Sequence, residues 1–188
     1  MRANKKKLKS LILYILSNYS NSELTVTKLQ KLLYYCDFDY YHKHNKSISG
    51  YTYFKNHYGP TVKDLPSIVK DLADEGLIKV LESQNYYGSP QTNFALIKMS
   101  EGIEKEFSDS ERLVIDEVNQ AYRGLSPSEI STLSHRDPPY VVAEEQGAID
   151  YENVNYRDEG AKEDQQLDDE AQTYFEEAEF DKLFSALQ

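Results

Sequence analysis

Four histidines, a single cysteine and sixteen tyrosines are the side chains that invite a chemical reading first. His42 and His44 lie two residues apart. On a helix that spacing sends the two rings in divergent directions, unlike the i, i+4 pair that chelates a metal. Neither a second cysteine nor an acidic cluster stands near them, so no zinc site is expected. Cys36 falls in the middle of an apolar helical row, the setting of an inert buried thiol rather than of a nucleophile. The chain has no glycine-rich phosphate loop and no GxSxG elbow. Its carboxylates crowd into the last quarter, where no rigid frame would hold an acid/base pair. No enzyme activity, cofactor or metal is therefore expected.

The tyrosines point elsewhere. Tyr34, Tyr35, Tyr40, Tyr41, Tyr51, Tyr53 and Tyr58 crowd one quarter of a chain that has no Trp. Tyrosine combines apolar area with a polar tip, which suits protein interfaces as well as cores. Tyr34, Tyr41, Tyr53 and Tyr58 are the candidates here for contact with a partner.

The elements that must position these residues are mainly helical. Apolar periodicity predicts a first helix over residues 7–19. A second follows Thr27 as N-cap, with Leu29, Leu32, Leu33, Cys36 and Tyr40 on one side and Tyr34, Phe38 and Tyr41 on another. Two apolar faces imply a central helix packed on both sides. A third helix is expected over residues 62–74, either beginning near Leu65 with Pro66 in its first turn or kinked there. Residues 76–83 and 94–100 read as strands of a β-hairpin, with residues 84–93 as a long loop. Ser108 with Glu111, and Ser126 with Glu129, form capping boxes for two further helices, over residues 109–123 and from Pro127 to about Leu133. Leu113, Ile115 or Val114, and Val118 are the expected buried face of the first of these. Asp137-Pro138-Pro139 stops the second.

Charge divides the chain. Residues 1–140 carry 18 basic and 17 acidic residues, whereas residues 141–188 carry 3 basic and 15 acidic ones. An acidic extension of this kind marks a solvating or interacting tail. Residues 147–169 hold almost no large aliphatic side chain and read as a flexible linker. The last segment regains helical periodicity through Phe175, Phe180, Leu183, Phe184 and Leu187, as an acidic amphipathic helix or a segment that folds on a partner. The basic and then apolar N-terminus has helical spacing and lacks a small-residue cleavage site, and no stretch approaches the ~18 apolar residues of a membrane span. With a lone cysteine as well, a cytoplasmic location and no membrane partner are expected.

Third helix, strand, loop and strand also have the order of a winged helix, an element that can read DNA. DNA binding needs a basic footprint. The expected hairpin loop has no Lys or Arg, and the best footprint is the short cluster Lys5, Lys6, Lys7 and Lys9. A winged-helix transcription regulator is the alternative function, with DNA a disfavoured partner.

Three ordered segments carry a family resemblance: KLQKLLYYCDFDYY at residues 28–41, SISGYTYFKNHYGPTVKDL at residues 47–65 around Tyr58-Gly59-Pro60, and LSPSEISTLSHRDPPYVVA at residues 125–143 around Ser134-His135 and Pro138-Pro139-Tyr140. Over residues 8–145 the chain resembles the Panacea antitoxin domain, also described as SocA-like or GepA-like. The resemblance implies a mostly helical antitoxin domain that binds and neutralises a protein toxin encoded beside it. The founding member instead delivers its toxin to a protease, so a proteolytic adaptor is a further alternative and a protease a further partner. The chain departs from the family at Tyr140, where Trp is usual; Tyr keeps the aromatic plate but lacks the indole N–H. Among the matching residues, Leu29, Lys31, Leu32, Tyr34, Gly59, Pro60, His135 and Pro139 are expected to build the fold. Tyr140 joins the candidates for partner contact, as do Phe175, Phe180, Leu183 and Phe184 in the tail. The expected layout is a mainly α domain with a small winged-helix-like hairpin over residues 1–145, a linker over residues 146–169, and an acidic helix over residues 170–188.

Overall fold

The centre of the fold is a helix buried nearly all round. The computed structural model describes residues 2–19, 24–84, 88, 90–99 and 102–157. In chain order the elements are α1 (Lys5–Ser17), β1 (Leu24–Thr25), α2 (Val26–His44), β2 (Tyr53–Phe54), α3 (Leu65–Asp74), β3 (Ile78–Gln84), β4 (Pro90–Leu96), α4 (Asp109–Tyr122), α5 (Pro127–Arg136), α6 (Pro138–Val142) and β5 (Ala148–Ile149). Short 3₁₀ turns cover Ile103–Glu106 and Tyr151–Asn155. The mainly α class expected from periodicity is the class observed.

α2 is the central element. Thr25, not Thr27, is its N-cap, the Thr25 hydroxyl accepting from the Lys28 amide at 3.1 Å. Leu29, Leu32, Leu33 and Cys36 on one side and Tyr34 and Phe38 on the other are all fully buried. Helices α1, α4 and α5 pack against it. α2 also ends a neighbour: the Lys28 ammonium donates to the Arg123 and Leu125 carbonyls at 2.8 and 2.7 Å, taking up the open acceptors after α4. α3 begins at Leu65 with Pro66 in its first turn, so the helix is not kinked.

β4 lies between β1 and β3 in an antiparallel sheet, and β2 pairs with β5 in a second. The β3–β4 ladder runs from Ile78 opposite Leu96 to Gln84 opposite Pro90. β4 therefore starts four residues before the expected Phe94, and the connecting loop is correspondingly short. The polar run Gln91-Thr92-Asn93 reads as loop by composition. It is held as strand by cross-strand partners, including Thr92 to Glu82 at 3.3 Å. Both capping boxes form, Ser108 with Glu111 and Ser126 with Glu129.

The folded unit spans Met1–Val154. Residues 146–154 thus belong to it, although the sequence read them as the start of a linker. Ile149, Tyr151 and Val154 are buried, and the Tyr151 ring stacks on Phe38 with centroids 4.3 Å apart. Three well-placed apolar side chains suffice to anchor a segment whose composition is otherwise polar. Asn155–Gln188 form the second unit, of which residues 155–157 are among those described. Among the described residues, no helix is long and apolar enough to cross a membrane.

Candidate partner-binding site

The three sequence segments that carry the family resemblance meet in space, around the loop of residues 55–60. This loop leaves β2 and returns through a bridge between Phe54 and Thr61. Within it three consecutive carbonyls each lie within hydrogen-bond distance of a side-chain nitrogen or hydroxyl. The Tyr140 hydroxyl of α6 donates to the Asn56 carbonyl at 2.8 Å. His135 of α5 places Nε2 3.0 Å from the His57 carbonyl, and its Nδ1 lies 2.6 Å from the Ser131 carbonyl. A neutral ring can donate to only one of these two acceptors, and an imidazolium to both. The Tyr58 carbonyl accepts from the Lys31 ammonium of α2 and from the Ser131 hydroxyl at 3.2 Å. The Gly59 amide closes the turn on the Asn56 carbonyl at 2.8 Å.

With its carbonyls turned inward, the loop turns side chains outward. Asn56, His57 and Tyr58 are exposed, Tyr58 at 70 %. Gly59 is required where it stands. Its φ is +93°, and a Cβ there would lie 2.7 Å from both the Lys31 Cε and the Ser134 hydroxyl oxygen. Lys55 ties the loop to the end of α6 through the Val141 and Ala143 carbonyls at 3.3 and 3.1 Å, with its ammonium 5.0 Å from the centre of the Tyr140 ring. Val141 and Val142 are both more than half exposed beside this junction.

The aromatic candidates divide by burial. Tyr58 alone of the five in the described residues is widely exposed. Tyr34 and Tyr53 are fully buried and Tyr41 and Tyr140 nearly so, with little or no surface to offer a partner. Their hydroxyls are bound internally: Tyr34 to Asp137 at 2.7 Å, Tyr53 to Asp37 at 2.8 Å, and Tyr41 to Glu152, a bond that pushes the Tyr41 phenol up to about 12. A crowd of tyrosines in sequence is here largely a core whose polar tips are satisfied. Phe175, Phe180, Leu183 and Phe184 lie outside the described residues. Leu29, Leu32, Tyr34, Lys31, Gly59, Pro60 and Pro139 are all buried, and His135 is half-buried.

Two fully buried ionisable groups on α2 shape the interior. Burial draws the Lys31 ammonium down to about 8. Burial also raises the Asp37 carboxyl to about 6, against the pull of the Ser49 hydroxyl, the Ser49 amide at 2.7 Å and the Tyr53 hydroxyl. Sequence reasoning gave Asp37 no role, and named Ser134 only within a family motif and Asp137 only as part of a helix stop. An acid inside an otherwise apolar helix row was the available signal for Asp37. Cys36 is fully buried and its thiol is pushed well up by desolvation, so it presents no thiolate. Among the described residues no group of three His, Cys, Asp or Glu side chains is placed to hold a metal.

The lysines that offered a nucleic-acid footprint are engaged within the fold. Lys5 pairs with Asp71 at 2.5 Å, Lys6 with Glu106 and Lys7 with Glu111 at 2.8 Å, and Lys9 with Glu75 at 2.5 Å. Acids of α3, the 3₁₀ turn at Ile103–Glu106 and α4 thus neutralise the basic face of α1.

Compared with protein-family models, residues 29–140 match the description "Antitoxin SocA-like, Panacea domain". No curated protein matches the chain.

Proposed function

Because this chain belongs to the family of SocA-like antitoxins with a Panacea domain, we propose that it is the antitoxin of a toxin–antitoxin pair and neutralises a toxin encoded beside it by direct binding. The observation that carries the reading is the Tyr58 loop. Residues from all three family segments are spent on holding its backbone, and the result is an exposed aromatic ring on a hydrogen-bonded loop. An exposed tyrosine on a tethered backbone has few rotatable bonds to fix on binding and brings a large apolar area, the properties of an interface anchor. Val141 and Val142 extend the same face.

The acidic segment of residues 170–188 is a second proposed contact, its Phe175, Phe180, Leu183 and Phe184 forming the apolar stripe of a helix laid into a toxin groove. No chemistry is assigned to the protein. The DNA-reading alternative loses support from the pairing of Lys5, Lys6, Lys7 and Lys9, since phosphate contact would have to break intramolecular ion pairs.

Growth of cells expressing the adjacent reading frame, with and without this protein, tests the proposal. Rescue by the wild type and loss of rescue by Tyr58→Ala, with the variant's melting temperature unchanged, is the expected result. A harmless neighbour would remove the antitoxin reading. Undiminished rescue by Tyr58→Ala would remove the Tyr58 face from it. A fall in the neighbour's half-life on co-expression would favour the proteolytic adaptor over occlusion.

A further inference from the structure

Lys31 is fully buried, and among the described residues no acid pairs with it. Buried ammonium groups ordinarily pair with carboxylates, because desolvation without a countercharge is costly. This one instead donates to a backbone carbonyl, that of Tyr58. Its aliphatic stem also forms the floor under Gly59, whose missing Cβ would collide with it. The Tyr58 carbonyl has a second donor in the Ser131 hydroxyl at 3.2 Å, so that carbonyl would not be orphaned if Lys31 were apolar. An unbranched apolar side chain of similar length would fill the same channel without the desolvation cost. The fold alone therefore gives no reason for a charge at this position.

We propose that Lys31 is a positioning residue for partner binding: its buried ammonium fixes the Tyr58 carbonyl, and through it the direction in which the exposed Tyr58 ring is presented. The inference rests on the reading of the Tyr58 loop as the partner-binding face. Burial holds the Lys31 ammonium down at about 8, as expected where a site solvates poorly the charge it holds. Lys31 acts only through the backbone of the loop, as its own side chain reaches no surface.

Lys31→Met and Tyr58→Ala, compared with the wild type in the full chain, provide the test. Three readouts are needed: melting temperature, hydrogen exchange of the Gly59 amide, and affinity for the purified product of the adjacent reading frame. For Lys31→Met the expected result is an unchanged or higher melting temperature. Gly59 exchange should quicken about tenfold or more while α1 and α4 amides hold, and affinity should fall about tenfold or more. A lower melting temperature with unchanged Gly59 exchange would make Lys31 an ordinary structural residue and overturn the proposal. Faster Gly59 exchange with unchanged affinity would overturn it differently, by showing that the partner does not need the loop fixed. If Tyr58→Ala binds as the wild type does, the failure lies in the choice of face, and the exchange result still decides whether Lys31 fixes the loop.

Discussion

Asp37 stands six residues from Lys31 on α2, and each is a fully buried ionisable group with no countercharge beside it among the described residues. Asp37 spends its two oxygens on Ser49 and Tyr53, so it ties the loop after α2 and strand β2 to the helix. Burial nonetheless outweighs these donors and lifts the carboxyl from 3.8 to about 6. A carboxyl whose folded pKa is raised contributes stability that is fully present below the unfolded value and is lost as pH rises through the folded one. For Asp37 the window therefore runs from 3.8 to about 6, with the protonated form favoured by folding. Asp37→Asn keeps an acceptor for Tyr53 and removes the titration. The wild type should gain on this variant as pH falls through the window, by an amount on the order of 3 kcal/mol at most. Urea midpoints of both proteins across the window measure it, and parallel profiles would show that the carboxyl does not titrate there. Lys31 carries the opposite sense, its stability contribution present above 10.5 and lost as pH falls through about 8. Outside the family motif nothing in the sequence announces the burial of Lys31, because a charge in a helix is read by default as its solvated face, and the one signal for Asp37 is the apolar row in which it stands.

At the scale of elements, helix α4 shows what periodicity delivers and where it slips. The expected buried face was Leu113, Ile115 or Val114, and Val118. The observed one is Val114, Ile115, Val118 and Asn119, with Leu113 60 % exposed. A polar side chain in the fourth position hid the phase of the helix, and an apolar one just outside it supplied a false match. Asn119 is 5 % exposed, and among the described residues neither its amide nitrogen nor its amide oxygen has a hydrogen-bond partner. An unsatisfied buried amide costs about 1–3 kcal/mol, and an apolar side chain of similar size removes that cost. Asn119→Leu should accordingly stabilise the protein by about 1–2 kcal/mol, read as a higher denaturant midpoint at unchanged slope. A lower midpoint would mean that the amide finds partners the packing does not reveal. Capping chemistry was more legible than phase. Ser108 and Ser126 each satisfy the amide three residues on, and the Glu at that position bonds back, as the spacing alone implied. Asp137-Pro138-Pro139 was read as a stop after α5. It also starts α6, because Pro at a first helical position lacks only an amide that the helix leaves unpaired anyway. That extra turn brings Tyr140 over the loop of residues 55–60, and so the candidate site was legible as three motifs but not as one place.

The whole molecule differs most from its sequence reading at the end of the folded unit. Composition placed the boundary at residue 145, because the following stretch is polar and acidic. The fold continues to Val154. β5 pairs with β2, Tyr53 opposite Ile149, and the Lys55 amide bonds to the Gly147 carbonyl at 2.9 Å. The Tyr151 hydroxyl reaches the Tyr51 carbonyl at 2.7 Å and its ring packs over Phe38 and Tyr41 of α2, while Val154 is fully buried in the same core. β5 thus pairs with the strand from which the Tyr58 loop departs, so the segment beyond residue 145 is joined to the proposed binding face through β2. Each of the three apolar side chains buried there is worth about 1.5–3 kcal/mol, and losing all of them would consume most of an ordinary domain's stability. Two truncations separate this account from the compositional one. Ending the chain after Ala143 or Glu145 should leave a protein that unfolds at far lower denaturant or fails to fold. Ending it after Arg157 should leave the unfolding midpoint close to that of the full chain. Circular dichroism with urea titration of the two fragments measures the difference. Equal stability would return residues 146–154 to the linker, whereas the expected gap makes the acidic tail a separable addition, to be assessed by its effect on toxin neutralisation with the folded unit intact.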